Sequence, residues 1–200
     1  MSVRQQLLQW IYPTLIKAGK LFGSENKVLV NQQSVRPIES LYNLVISLND
    51  GSKLSMATLK GKKILLVNTA SDCGYTAQYE ELQELSEQYN KNLVVIAFPA
   101  NDFKEQEKGD DASIAQFCKK NYGVSFPLSK KTSVIKSNQQ DPVFHWLSDH
   151  RLNGWCDRDP EWNFSKYLVD ENGTLTHYFP AAISPLDPIV TKFIQANTDK

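Results

Sequence analysis

The sequence predicts an α/β fold built on a parallel β-α-β crossover. Two continuous apolar runs, residues 64–67 (ILLV) and 93–98 (LVVIAF), have the composition of strands buried on both faces of a sheet. Between them, residues 77–89 carry a helical period. Tyr79, Leu82, Leu85 and Tyr89 fall on one side, and Glu80, Glu81, Glu84 and Glu87 are expected in water. Strand, helix and strand in that order give the crossover.

The remaining elements follow in chain order. In residues 1–22, Leu8, Ile11, Leu15, Ala18 and Phe22 recur at helical spacing, widened by Leu7, Trp10 and Tyr12. Gln5, Gln6, Gln9, Pro13 and Thr14 interrupt the stripe, so it is too short and too broken to span a bilayer. No small-residue cleavage site follows a clean apolar core, as a signal peptide would require. Three readings stay open for this helix: packing on the domain, lying in a membrane interface, or serving as a mobile arm. Pro13 is expected to end or kink it near its middle. Residues 23–39 read as a polar linker with a small Val28-Leu29-Val30 island, which divides the chain into residues 1–39 and a main domain, residues 40–200.

Residues 41–48 and 52–54 flank Asn49-Asp50-Gly51 and read as a hairpin, because Asp-Gly supplies the positive φ of a tight turn. Residues 112–122 form a short helix with Ile114, Phe117 and Cys118 toward its apolar side. Residues 141–147 give another short helix, and residues 167–169 and 174–179 a second hairpin. Residues 188–196 close the chain with a helix carrying Ile189, Val190, Phe193 and Ile194.

Composition excludes several functions. Lys+Arg and Asp+Glu balance at 22 each, and no basic stripe with interleaved aromatics argues for nucleic acid. Cys73, Cys118 and Cys156 lie far apart with no C-x-x-C pair, so neither a zinc site nor any other cofactor is expected. The odd, low cysteine count points to a reducing compartment, hence a cytoplasmic protein, with membrane association open.

Cys73 falls between the end of the strand at residues 64–67 and the helix beginning near residue 77. Backbone N–H groups there are unsatisfied and the helix dipole is positive, so the position favours a thiolate. Against this stand the ordinary fate of lone cysteines as small buried hydrophobes and the adjacent Asp72, which opposes ionisation. Position alone leaves both readings standing.

Four blocks carry a family resemblance: NTASDCGYTAQYEELQ, FPANDFKEQEKG, FCKKNYGVSFPL and EWNFSKYLVDENG. In this order and spacing they resemble the glutathione peroxidase family, over roughly residues 40–196. The resemblance implies a thioredoxin-like fold, a central mixed sheet flanked by helices, here with an N-terminal helical extension. It implies Cys73 as the peroxidatic residue, with Gln106, Trp162 and Asn163 completing a tetrad around its sulfur. Indole N–H and carboxamide NH₂ groups suit that place, because they donate to developing negative charge without competing for ionisation. Cys118 matches the resolving cysteine of the thioredoxin-dependent members, implying a Cys73–Cys118 disulfide and local unwinding around Cys118 to form it. Cys156 matches no role and is read as a bystander or a rival resolver.

The chain departs from the family at Ala100, Asp102 and Lys108, all in the stretch presenting Gln106, and at Asp72. The short connection between Leu147 and Trp162 implies an open site, a monomer and access for large lipid hydroperoxides. The implied activity is a thiol peroxidase acting on hydrogen peroxide and organic hydroperoxides, with thioredoxin or else glutathione as reductant. The alternatives are a peroxide sensor that relays oxidation to a partner protein and a glutathione-dependent peroxidase. A disulfide exchanger is disfavoured, since Thr76 stands where a C-x-x-C second cysteine belongs. A catalytically dead binding module working through residues 1–22 is the last reading.

Overall fold

The computed structural model describes residues 1–195, with only the backbone at residues 25 and 26. Its centre is β4 (Lys63–Thr69), all seven residues of which are buried. β4 pairs in parallel with β5 (Leu93–Pro99), Leu66 opposite Ile96, and antiparallel with β6 (Lys166–Val169), Leu66 opposite Tyr167. β6 continues antiparallel to β7 (Leu175–Phe179), and β7 to a two-residue strand, β1 (Leu29–Val30). The mixed sheet therefore runs β1-β7-β6-β4-β5, and β2 (Val45–Ser47) with β3 (Lys53–Ser55) forms the separate hairpin expected across Asp50-Gly51.

Successive side chains of a strand point to opposite faces, so this sheet divides the core into two layers. Leu65, Val67, Val95, Ala97, Leu168 and Phe179 point to one face, where they meet Tyr79, Leu82 and Leu85 of α2 (Gln78–Gln88). Cys118 of α3 (Asp111–Tyr122) and Val190 of α6 (Pro188–Gln195) join that layer. Ile64, Leu66, Ile96, Phe98, Tyr167 and Tyr178 point the other way, toward α4 (Pro142–Leu147) and Cys156. One further turn of helix, α5 (His150–Asn153), ends at Gly154 with φ +97°.

Three expectations are corrected. The Val28–Val30 island is not linker, because β1 extends the sheet at Leu29↔Tyr178. Pro13 does not end the first helix, α1 (Val3–Leu21), which runs on past it. The proline lies on the exposed side, where the carbonyl it leaves unpaired can take water. Glu81 does not face water either: its carboxylate accepts hydrogen bonds from the Tyr12 hydroxyl (2.7 Å) and the Ser184 hydroxyl (2.7 Å). The last helix is described to Gln195, and Ala196 lies outside the described residues.

α1 packs on the body, the first of its three readings. Ser2 and Gln5 close a capping box at its start, and Gln5 Nε2 also donates to the Ser71 carbonyl at 3.0 Å. Tyr12 meets Tyr75 edge-on with ring centroids 6.5 Å apart, and Lys20 pairs with Asp187. Gly19 is required where it stands, since a Cβ there would lie 2.7 Å from the Ala182 Cβ. No helix among the described residues is long and apolar enough to cross a membrane.

Candidate active site

Cys73 sits in the turn between β4 and α2 and is fully buried. Thr76 shapes that turn: its hydroxyl accepts from the Cys73 N–H (2.9 Å) and donates to the Ala70 carbonyl (2.9 Å). The residue that replaces a second cysteine therefore holds the loop, leaving the Tyr75 N–H to donate to Cys73 Sγ at 3.4 Å.

Trp162 and Asn163 reach the same sulfur from the segment preceding β6, and both favour its ionised form. Asn68, at the end of β4, fixes that segment. Its carboxamide donates to the Trp162 carbonyl (3.1 Å) and accepts from the Ser165 N–H (3.1 Å), while its own carbonyl accepts from the Phe164 N–H (2.6 Å). Phe164 is held at φ +68°, a left-handed conformation that costs a bulky residue energy and survives only where its surroundings enforce it. The Trp162 ring is flanked by Phe103, with centroids 5.7 Å apart, and by the Lys104 ammonium, 5.4 Å from its centroid.

Gln106 does not hydrogen-bond the sulfur. Its side-chain oxygen accepts from Asn163 Nδ2 at 2.9 Å, and its carbonyl accepts from the Asp72 N–H at 3.1 Å. It orients Asn163 and the loop, one layer out. The preceding Lys104 and Glu105 both take left-handed φ values, 51° and 52°. Asp102, one of the departures from the family pattern, anchors this stretch by accepting from the Ser133 hydroxyl (2.9 Å) and the Val134 N–H (2.7 Å).

The opposed influences on Cys73 resolve upward: its thiol pKa is raised. Burial is the largest cause, and the three donors from Tyr75, Trp162 and Asn163 offset it only in part. Asp72 adds a smaller upward push, as its position suggested, although Arg4 of α1 pairs with it at 3.3 Å. α1 crosses the 71–75 loop so closely that a Cβ on Gly74 would lie 2.8 Å from Leu15 Cδ1.

Cys118 is also fully buried and lies in the same core layer as Cys73. Burial lifts its thiol to about 12, the neighbouring Tyr79 hydroxyl opposing that rise in part. Cys156 packs in the layer on the opposite face of the sheet, with its thiol pushed up to about 11 by burial.

Glu107 was not singled out in the sequence. It is 1 % exposed, its carboxylate accepts from the Ser71 hydroxyl at 3.0 Å, and burial raises its pKa to about 7. No local signal marks it, since a glutamate in a charged loop ordinarily faces water. Asn68 was legible only as the residue that breaks an apolar run.

Comparisons with known proteins place the chain in a family. Residues 41–148 match the model of the glutathione peroxidase family. The chain is 42% identical over 147 residues to the Saccharomyces cerevisiae glutathione peroxidase-like peroxiredoxin 2, covering 73% of this chain and 90% of that one. The crystal structure of Trgpx in its apo form superposes with a TM-score of 0.59 at 27% identity, over 78% of this chain and 94% of that one. A thioredoxin-family thiol:disulfide interchange protein from Chlorobium tepidum shares the fold at 17% identity, with a TM-score of 0.53 over 80% of this chain and 97% of that one. With its thioredoxin-like sheet and buried Cys73, the chain belongs to the glutathione peroxidase family and is a thiol peroxidase.

Proposed function

We propose that Cys73 reduces hydrogen peroxide and organic hydroperoxides and that Cys118 resolves it. The observation that carries this reading is the Tyr75 N–H donating to the Cys73 sulfur at 3.4 Å, with the Trp162 indole and the Asn163 carboxamide also favouring its ionised form. Such donors stabilise charge developing on sulfur and on the peroxide oxygen leaving it. The Cys73 thiolate attacks the distal peroxide oxygen, the O–O bond breaks, and the alkoxide or hydroxide leaves as alcohol or water once protonated. Cys73 is then a sulfenic acid. The Cys118 sulfur displaces its hydroxyl as water, forming the Cys73–Cys118 disulfide.

Shared residence in one core layer supports Cys118 as partner, and the opposite face of the sheet disfavours Cys156. Because both thiols are fully buried, the disulfide requires α3 to unwind locally around Cys118. Thioredoxin dithiol then reduces the disulfide and is itself oxidised. The protein works as a monomer, with a peripheral membrane contact through residues 1–22 supported by the apolar side chains α1 leaves exposed.

Steady-state turnover with thioredoxin and its reductase, against turnover with glutathione, tests this reading. Thioredoxin-driven turnover lost in both Cys73→Ser and Cys118→Ser is expected. Full activity of Cys118→Ser with thioredoxin would overturn the resolving role.

A further inference from the structure

We propose that the outer face of α1 docks on bilayers containing anionic phospholipid, which sets the active-site side of the molecule against the lipid. This rests on the peroxidase reading above and adds to it a lipid chemistry and an orientation. Val3, Leu7, Trp10 and Leu21 recur four, three and eleven residues apart, so they form one stripe along the helix, and Phe22 follows at its end. They are 84%, 58%, 80%, 85% and 88% exposed, in that order. The opposite stripe is already used, with Tyr12 and Leu15 seated on Tyr75 and Gly74. Core packing therefore accounts for one apolar side of α1 and leaves a second one, carrying a tryptophan, in solvent.

Charge selects the occupant. Residues 1–24 contain Arg4, Lys17 and Lys20 and no Asp or Glu, which leaves 19 basic and 22 acidic residues in the rest of the chain. Lys17 lies at the edge of the stripe and Lys20 just beyond it. Arg4 and Lys20 are paired with Asp72 and Asp187, so Lys17, at the edge of an apolar stripe with tryptophan and phenylalanine, is the cation that complements an anionic headgroup layer over acyl chains. A second copy of the same face would instead oppose cation to cation.

The inner contacts give the orientation its consequence. A cavity of about 410 Å³ lies between Gly19 and Phe22 of the α1 end and Tyr75, Trp162 and Ala182 of the body. Phe22 therefore belongs both to the exposed stripe and to the wall of a cavity that reaches the catalytic indole. Docking through α1 presents that cavity to the bilayer, and the substrate class it serves there is a lipid hydroperoxide.

The test is co-sedimentation of the full chain with vesicles of phosphatidylcholine alone or with added phosphatidylglycerol, beside a Leu7→Glu/Trp10→Glu variant. Both positions are exposed and outside the catalytic machinery, so hydrogen peroxide turnover should be unchanged. The wild type should bind the anionic vesicles about tenfold or more tightly than neutral ones, with binding weakened by salt. The variant should lose about tenfold or more of that binding as buried apolar surface is replaced by charge. It should also reduce phosphatidylcholine hydroperoxide in anionic vesicles more slowly than wild type.

No binding by the wild type, or equal binding by the variant, would overturn the proposal. A concentration-dependent dimer abolished in the variant would overturn it too, by assigning the face to a second copy. If instead the peroxidase reading fails, hydrogen peroxide turnover is absent in both proteins whatever the vesicles show.

Discussion

Replacing Glu107 by Gln gives the sharpest energetic test of the loop beside the sulfur. Its carboxyl is 1 % exposed, with the Ser71 hydroxyl as hydrogen-bond donor, and burial raises its pKa from 4.5 to about 7. Between those values the folded chain keeps a proton the unfolded chain has lost, so stability falls as pH rises. The cost is absent below pH 4.5 and complete above about 7. At about 1.4 kcal/mol per pKa unit it amounts to about 3 kcal/mol.

Glutamine does not titrate, yet it can still accept from Ser71, and the Glu107 N–H bond to Asn101 Oδ1 (2.9 Å) is a backbone contact that remains. His177 masks the effect in wild type. Its buried ring has a pKa lowered from 6.5 to about 4, so its contribution is fully present above 6.5 and lost as pH falls through 4. The two slopes oppose each other over the same range, so the difference between variant and wild type is the quantity to measure. Urea unfolding followed by tryptophan fluorescence should show Glu107→Gln growing more stable relative to wild type by about 3 kcal/mol between pH 4.5 and 7.5. A difference that does not change with pH, or a variant less stable at pH 7.5, would refute the burial argument.

Other substitutions read out the site and its supports. Trp162→Phe and Asn163→Ala each remove a donor from the sulfur and should slow the peroxide reaction about 100-fold, measured by competition for limiting peroxide. Asn68→Ala unties the 162–165 segment without touching the sulfur. It should cost about 2–4 kcal/mol in denaturant unfolding and at least tenfold in kcat/KM. Gly154→Ala combines φ +97° with a Cβ 2.5 Å from the Arg36 carbonyl oxygen. Thermal unfolding should show a loss of about 2–4 kcal/mol, or roughly 10 °C in Tm, with peroxide reactivity at 25 °C retained.

Local chemistry made the crossover legible. β4, α2 and β5 announce themselves through continuous apolar runs and a helical period, and Asp50-Gly51 marks the hairpin by its turn geometry. The convergence of Trp162 and Asn163 on Cys73 was readable only through the family motifs, because residues some ninety positions apart meet through sheet pairing that no local pattern encodes. The contacts of α1 were invisible for the same reason: Gln5 and Tyr12 find Ser71 and Glu81 at separations of 66 and 69 residues. The direction of the Cys73 shift stayed open in the sequence because position predicts the donors, whereas the opposing burial depends on what the rest of the chain lays over the loop.

The central claim is that Cys73 takes the peroxide oxygen and Cys118 resolves it. Intact-mass analysis and peptide mapping after one equivalent of peroxide, followed by thioredoxin with its reductase, test it most directly. The account predicts a Cys73–Cys118 disulfide, formed without loss of the Cys156 thiol and cleared by thioredoxin. A Cys73–Cys156 disulfide, or Cys73 arrested as sulfenic or sulfinic acid with Cys118 still free, would contradict it.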